Sequence, residues 1–276
     1  MFSEPIPEAM SGNSMFEHNR NDTYFVKAGK TLLNMSLCQI SDTFPKMEDP
    51  IKLAVAGGSF RSLFTKQKLM DLDLFLLTDR YMALSFFKYM KEVLIRLYPD
   101  IVFDKIAEVT LTLKRDEDGF SNLEKKFIRF NIPPLPGRNN TQIQMLQFSH
   151  NIEGLEVYPK SSRELINMFD VIPACFSAEA VKTPNNGFEF TGVTAHAMLL
   201  ETLVNKELIP NMVKGRPVEP IMSLERFYKY TVDYGFTVSK QHMPIFAKLM
   251  AIPTNISIHY DTISGEDVSE CSDWEL

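Results

Sequence analysis

An apolar run, Leu53 to Ala56, passes into Gly57-Gly58-Ser59-Phe60-Arg61 and then, a few residues later, into a second apolar run, Leu69 to Leu77, broken by Asp71 and Asp73. This order predicts strand, tight turn, short helix, strand. Glycine has no Cβ and lets a phosphate approach the backbone, and amide groups at a helix start favour an anion. Ser59 adds a hydroxyl at the same point. Side chains alternate along a strand, so Asp71 and Asp73 share one side, while Leu72 and Phe75 are free to face a core or a layer of helices. Two neighbouring carboxylates repel unless a cation lies between them, and hard oxygen ligands suit Mg²⁺.

Gly57-Gly58-Ser59-Phe60-Arg61 followed by Asp71-Leu72-Asp73 resembles the head motif of the polymerase-β-like nucleotidyltransferase superfamily. Within it the motif is most similar to that of tRNA CCA-adding enzymes and bacterial poly(A) polymerases. Later segments resemble nucleotidyltransferase-like proteins of phages and large viruses. The resemblance implies a metal-dependent enzyme, using Mg²⁺ or Mn²⁺, that moves a nucleoside monophosphate from an NTP to an acceptor hydroxyl, with an RNA or tRNA end as the expected acceptor. It also implies a third carboxylate from a neighbouring strand. Asp170, in a Phe169-Asp170 pair after a short helix, is the candidate, with Glu108 as the substitute. The metal set is then Asp71, Asp73 and Asp170, and Gly57, Gly58, Ser59 and Arg61 belong to the nucleotide site. The arginine and aspartate pattern by which CCA-adding enzymes select bases is not recognisable, so CCA addition itself is not implied.

Composition narrows the alternatives. A net charge of −6 argues against broad, non-specific nucleic-acid binding and leaves room for a local basic cleft. Cys38, Cys175 and Cys271 are far apart and form no C-x-x-C, which points to reduced thiols and not to a disulfide framework or a zinc site. The first twenty residues are polar and acidic, unlike a signal peptide, and no apolar run reaches the ~18 residues of a membrane span. The expectation is a protein of the cytoplasm, or of the host cytoplasm if viral, without a membrane partner. P-loop, dinucleotide-binding and zincin motifs are absent, and the histidines are isolated.

The expected fold class is α+β, a nucleotidyltransferase-like mixed sheet flanked by helices, with a small helical C-terminal domain. Residues 1–24 lack periodicity and suggest a mobile lead. The head is placed at 25–182. Tyr24 to Ile40 suggests a strand then a short helix; Thr78-Asp79 caps a helix over Arg80 to Leu97; Ala107 to Lys114, Lys125 to Ile132 and Thr141 to Phe148 alternate as strands. Arg115 to Gly119 reads as a turn and Pro133 to Asn140 as a loop. Ser161 caps a short helix, and Asp170 to Phe176 reads as a strand opened by an acid, against which Pro173 counts.

A boundary is expected near the Pro184 to Gly187 turn, with a helical domain at 183–260 and an acidic tail at 261–276. Thr194 to Leu203 and Ser223 to Tyr234 read as its helices, joined by the loop Gly215 to Pro220. The second helix resembles an Arg-x-x-Lys-Tyr pattern ending in Gly-Phe in the viral relatives. Arg226, Lys229 and Tyr230 fall on one face, which either holds a triphosphate and stacks a base or is a solvated basic face with Tyr230 packed inward. Two other functions stand beside transfer to RNA: a nucleotidyltransferase fold that binds without turnover, as a structural protein of a phage would, and an enzyme that nucleotidylates a protein.

Overall fold

The structure, a computed structural model, describes residues 15–17, 23–44, 50–113, 123–138, 140–152, 155–183, 187–212, 222, 224–249 and 255–260. The expected lead and acidic tail, the turn at 115–119 and the loop at 215–220 lie outside the described residues, apart from the strand at 15–17 and the start of the first helix. In chain order the elements are β1 (Met15–Glu17), α1 (Thr23–Ile40), β2 (Ile51–Ala56), α2 (Gly58–Phe64), β3 (Asp71–Leu76), α3 (Arg80–Leu97), β4 (Ala107–Leu113), β5 (Leu123–Ile132), β6 (Gln142–Ile152), β7 (Leu155–Val157), α4 (Ser162–Asn167), β8 (Phe176–Lys182), β9 (Phe188–His196), α5 (Leu199–Asn205), α6 (Leu224–Tyr228), α7 (Met243–Leu249) and β10 (Asn255–Tyr260). One mixed sheet runs β1-β9-β8-β2-β3-β6-β5-β4-β10, with β7 beside β6. The β3–β6 pairing is parallel, and the pairings on either side of it are antiparallel.

Alternation along the strands divides the sheet into two faces. Leu72, Leu74 and Leu76 of β3, Ile143 and Met145 of β6, and Ile128, Phe130 and Ile132 of β5 are buried on one face, in a core shared with α1 and α3. On the other face Ala54, Ala56, Phe75 and Leu77 are buried beneath Leu165 of α4. Phe75 thus lies on the side of Asp71 and Asp73, opposite to Leu72, because 71, 73 and 75 share one parity.

The strand-helix-strand expected around the glycines forms, as does the helix from Arg80, where Asp79 Oδ1 accepts from the Met82 amide at 2.9 Å. Three elements differ. Tyr24 to Ile40 is part of one continuous helix whose Phe25, Leu32, Leu33, Leu37 and Ile40 face the core. Gly29 interrupts its pattern because the helix touches the sheet there: a Cβ would come 2.7 Å from Val193 Cγ2 and 2.9 Å from Ala178 Cβ. Asp170 to Phe176 is no strand until its last residue; Pro173 sits in a 3₁₀ turn, Ile172–Ala174, where its missing amide is harmless. Residues Thr194 to His196 extend β9, and the helix begins only at Leu199.

The segment 183–260 holds two strands of the sheet as well as helices, since β9 pairs with β8 and β10 with β4. The expected boundary falls inside the β8–β9 hairpin. Among the described residues no helix is long and apolar enough to cross a membrane.

Candidate active site

Asp73 lies in a row of side chains running across the sheet: Ser177, Ala56, Asp73, Gln144 and Asn131 are register partners on successive strands. Asp71, at the start of β3, is exposed and pairs with Gln142, whereas Asp73, two residues deeper, is half-buried. Small Ala56 is the register partner of Asp73 on β2 and leads directly into the glycine turn. Gly57 has φ +84°, and a Cβ placed on it would stand 3.2 Å from Asp73 Oδ2. The turn and the acid are therefore in direct proximity, which fixes glycine here for both conformation and space.

Burial pushes the Asp73 carboxyl up to about 7, and the charge of Asp71 adds to the rise; Arg226, Lys229 and Arg61 oppose it. Cations from α2 and from the C-terminal helix thus face the acid pair. Arg61 is buried, with its guanidinium 3.6 Å from the centre of the Tyr234 ring and 5.4 Å from that of Tyr230. It folds back over the turn, so that a Cβ on Gly58 would meet Arg61 Nη2 at 3.2 Å. Arg61 Nε and Ser59 Oγ are buried and make no hydrogen bond. Two donors beside the glycine turn therefore await an acceptor.

The C-terminal helix reaches the site by its change of pitch. After α6 the chain forms a π-helical turn, Lys229–Asp233, which ends at Gly235 with φ +69°. Tyr230 packs inward and is buried, and burial raises its pKa. Arg226 and Lys229 remain toward the surface. Arg226 Nε donates to Asp170 Oδ2 at 2.7 Å. Burial works against the Arg226 charge, but the Asp170 carboxylate outweighs it and leaves the pKa raised.

Asp170 is buried, Oδ2 is engaged by Arg226, and Oδ1 has no hydrogen-bond partner. Among the described residues no three acidic, histidine or cysteine side chains come together as a metal-binding group, so Asp170 does not join Asp71 and Asp73 in one. The substitute, Glu108, is on β4, three strands from β3, and is ion-paired with Arg80. The strand position beside Asp73 belongs to Gln144, whose amide Nε2 donates to Asn131 Oδ1 at 3.0 Å, while Asn131 Nδ2 donates to Asp104 Oδ2 at 3.0 Å.

Tyr234 and Gln144 were not among the sequence candidates. Tyr234 stands four residues after Tyr230 and could have been found by helical spacing. Gln144 becomes visible only once β6 is known to run parallel to β3.

No protein-family model matches the chain, and no curated protein does. The solved structures to which it is similar include the Thermotoga maritima CCA-adding enzyme complexed with tRNA, at 12% identity over 86% of this chain and 46% of that one, with a TM-score of 0.40. A tRNA nucleotidyltransferase complexed with a primer tRNA and an incoming ATP analogue gives 14% identity, 80% and 49% coverage and a TM-score of 0.38. The Bacillus stearothermophilus CCA-adding enzyme in complex with CTP gives 10%, 75%, 41% and 0.35. The chain spans less than half the length of each.

Proposed function

We propose that this chain is a metal-dependent nucleotidyltransferase, moving a nucleoside monophosphate from an NTP to an acceptor hydroxyl, with an RNA or tRNA end as the acceptor. The observation that carries the reading is the approach of Asp73 to the Gly57 turn, with Asp71 on the same side of β3. A carboxyl raised to about 7 by burial and by a neighbouring acid is one that a divalent cation would stabilise as carboxylate, so the donor set fits Mg²⁺ or Mn²⁺. Asp71 and Asp73 would hold the ion, which when bound neutralises triphosphate charge and lowers the pKa of the attacking hydroxyl.

The chain's own residues do the remainder. Gly57 and Gly58 keep the backbone bare for the triphosphate, and the unpartnered Ser59 hydroxyl and Arg61 Nε supply donors to its oxygens. Arg226 and Lys229 add positive charge that matters most as negative charge builds on the leaving group. Tyr230 and Tyr234 hold Arg61 in place by stacking.

A second reading, nucleotide binding without turnover, is favoured by one observation: Asp170 is committed to Arg226, and an amide, Gln144, occupies the strand position beside Asp73. Incubation with labelled NTPs, Mg²⁺ and separate tRNA, oligoribonucleotide and protein acceptors tests the two. Label carried to an RNA end supports the proposal, label on protein moves the acceptor class, and NTP binding with no transfer to any acceptor favours the second reading.

A further inference from the structure

The sheet continues well past Asp73, and its two faces carry different charges. Register places Gln144, Leu146, Phe148 and His150 of β6, Asn131, Arg129, Phe127 and Lys125 of β5, Ala107 and Val109 of β4, and Tyr260 and Ile258 of β10 on the side of the acid pair. None of these positions is acidic, although acids outnumber Lys and Arg 35 to 29 in the chain; the carboxylate of Asp104 reaches the face at Asn131, beside Gln144. On the opposite face the same strands carry Glu108 and the apolar residues that pack under α3. Segregation of this kind is not needed for folding, since it would serve the core equally well with acids pointing outward.

The acid-pair face is covered by α4 over β2 and β3, and Leu146 and Phe148 pack against the edge of that cluster; beyond it the face is apolar and partly open. Phe127 and Phe148 are direct cross-strand partners and both are only half-buried, as are Leu146, Arg129 and Lys125. Tyr260 is 48% exposed. Cations lie against these rings: Lys125 Nζ is 5.9 Å from the centre of Phe148, and Lys105 Nζ is 6.0 Å from that of Tyr260. Aromatic rings on a sheet, interleaved with Arg and Lys, match a strand of bases and phosphates: rings stack on bases of any sequence and the cations meet the backbone.

We propose that this face of β5 and β6, flanked by β4 and β10, seats a single-stranded polynucleotide whose end is led along β6 to Asp71 and Asp73. From Gln144, beside Asp73, to Phe148 the strand rises about 13 Å. A chain stacked on Phe127 and Phe148 is thereby a few nucleotides from the acids. The site deepens the transferase reading and rests on it for the role of that end: the acceptor is single-stranded where it lies on the protein, and it is held by stacking and phosphate contacts without base-edge readout.

Fluorescence anisotropy with a labelled single-stranded oligoribonucleotide, its DNA counterpart, a duplex and an acidic polypeptide tests this. The single strands should bind and the duplex and polypeptide should not. Lys125→Gln with Arg129→Gln should weaken binding about tenfold and flatten the dependence of log K on log salt by about 1.4. Phe148→Leu, which keeps an apolar side chain but no ring, should cost about fivefold or more. Lys126→Gln, the same charge change on the same strand but on the opposite face, should have no effect, and thermal melts of all variants should stay near wild type. Equal loss with Lys126→Gln, or binding of duplex or polypeptide as tight as that of single strands, would overturn the proposal. Mg²⁺-NTP affinity measured on the same proteins separates the two readings. The face variants should leave it unchanged; oligonucleotide binding without any NTP binding would remove the transferase reading and leave the strand seat standing.

Discussion

Arg226 Nε donates to Asp170 Oδ2 across 2.7 Å, tying the C-terminal helix to the segment behind α4. The two partners are unequally placed: the Asp170 side chain is 7% exposed and that of Arg226 43%. Loss of the arginine therefore strands a buried carboxylate, whereas loss of the carboxylate releases a cation that water can reach. Arg226→Gln should destabilise the fold by about 2 kcal/mol, less than a fully buried pair because one partner is partly solvated. Asp170→Asn should cost less, and any transfer rate per folded molecule should persist. Thermal melts with single-turnover rates check this; an Asp170→Asn protein of unchanged stability and no turnover would return Asp170 to the metal set.

The two glycines of the turn should behave differently. At Gly57, φ +84° and the nearby Asp73 oxygen both oppose a side chain, so Gly57→Ala should cost about 1–2 kcal/mol and weaken NTP binding as well. At Gly58 the φ is ordinary and the obstacle is the end of the Arg61 side chain, so Gly58→Ala should lower the melting temperature less than Gly57→Ala does, while displacing the guanidinium from its place over the turn. Chemical denaturation paired with NTP titration distinguishes the two, and a stability loss at Gly58 as large as that at Gly57 would contradict the second half.

Asp73 makes metal-free stability depend on pH. Its ordinary value is 3.8 and the fold raises it to about 7, so between those values the folded chain keeps a proton that the unfolded chain has released. Its stabilising contribution is complete below the lower value and is lost as the pH rises through the upper one. Asp73→Asn should therefore be more stable than wild type near pH 8 by about 1 kcal/mol once solvent screening is allowed for, with the difference shrinking toward acid pH. Melts across this range, without divalent ions, decide it; a variant less stable than wild type at the alkaline end would contradict the assigned burial and repulsion.

The local chemistry of the head was legible because it is written in short spans. Gly57 to Arg61 and Asp71 to Asp73 are close in sequence, and strand parity alone sets both acids on one face. The same parity puts Phe75 with them, where it is buried beneath Leu165 of α4 in the layer of helices that the sequence allows for it. What the sequence could not supply was pairing at a distance. Nothing local says that β6 lies parallel to β3, and so neither Gln144 beside Asp73 nor the row of rings and cations beyond it could be read. Gly29 disguised α1 for a related reason, since its meaning lies in Val193 and Ala178, far along the chain. Thr194 to His196 likewise carried a helical composition that pairing with β8 and β1 overrides.

The most direct test of the central claim is isothermal titration of NTP into the protein with and without Mg²⁺, for wild type and for Asp73→Asn. If Asp71 and Asp73 hold a cation beside the Gly57 turn, wild type should bind NTP at least about tenfold more tightly with the ion, a coupling of roughly 1.4 kcal/mol. Asp73→Asn should lose that increment while keeping the ion-independent part. Equal NTP affinity with and without Mg²⁺ in the wild type, or an increment that survives Asp73→Asn, would contradict the account.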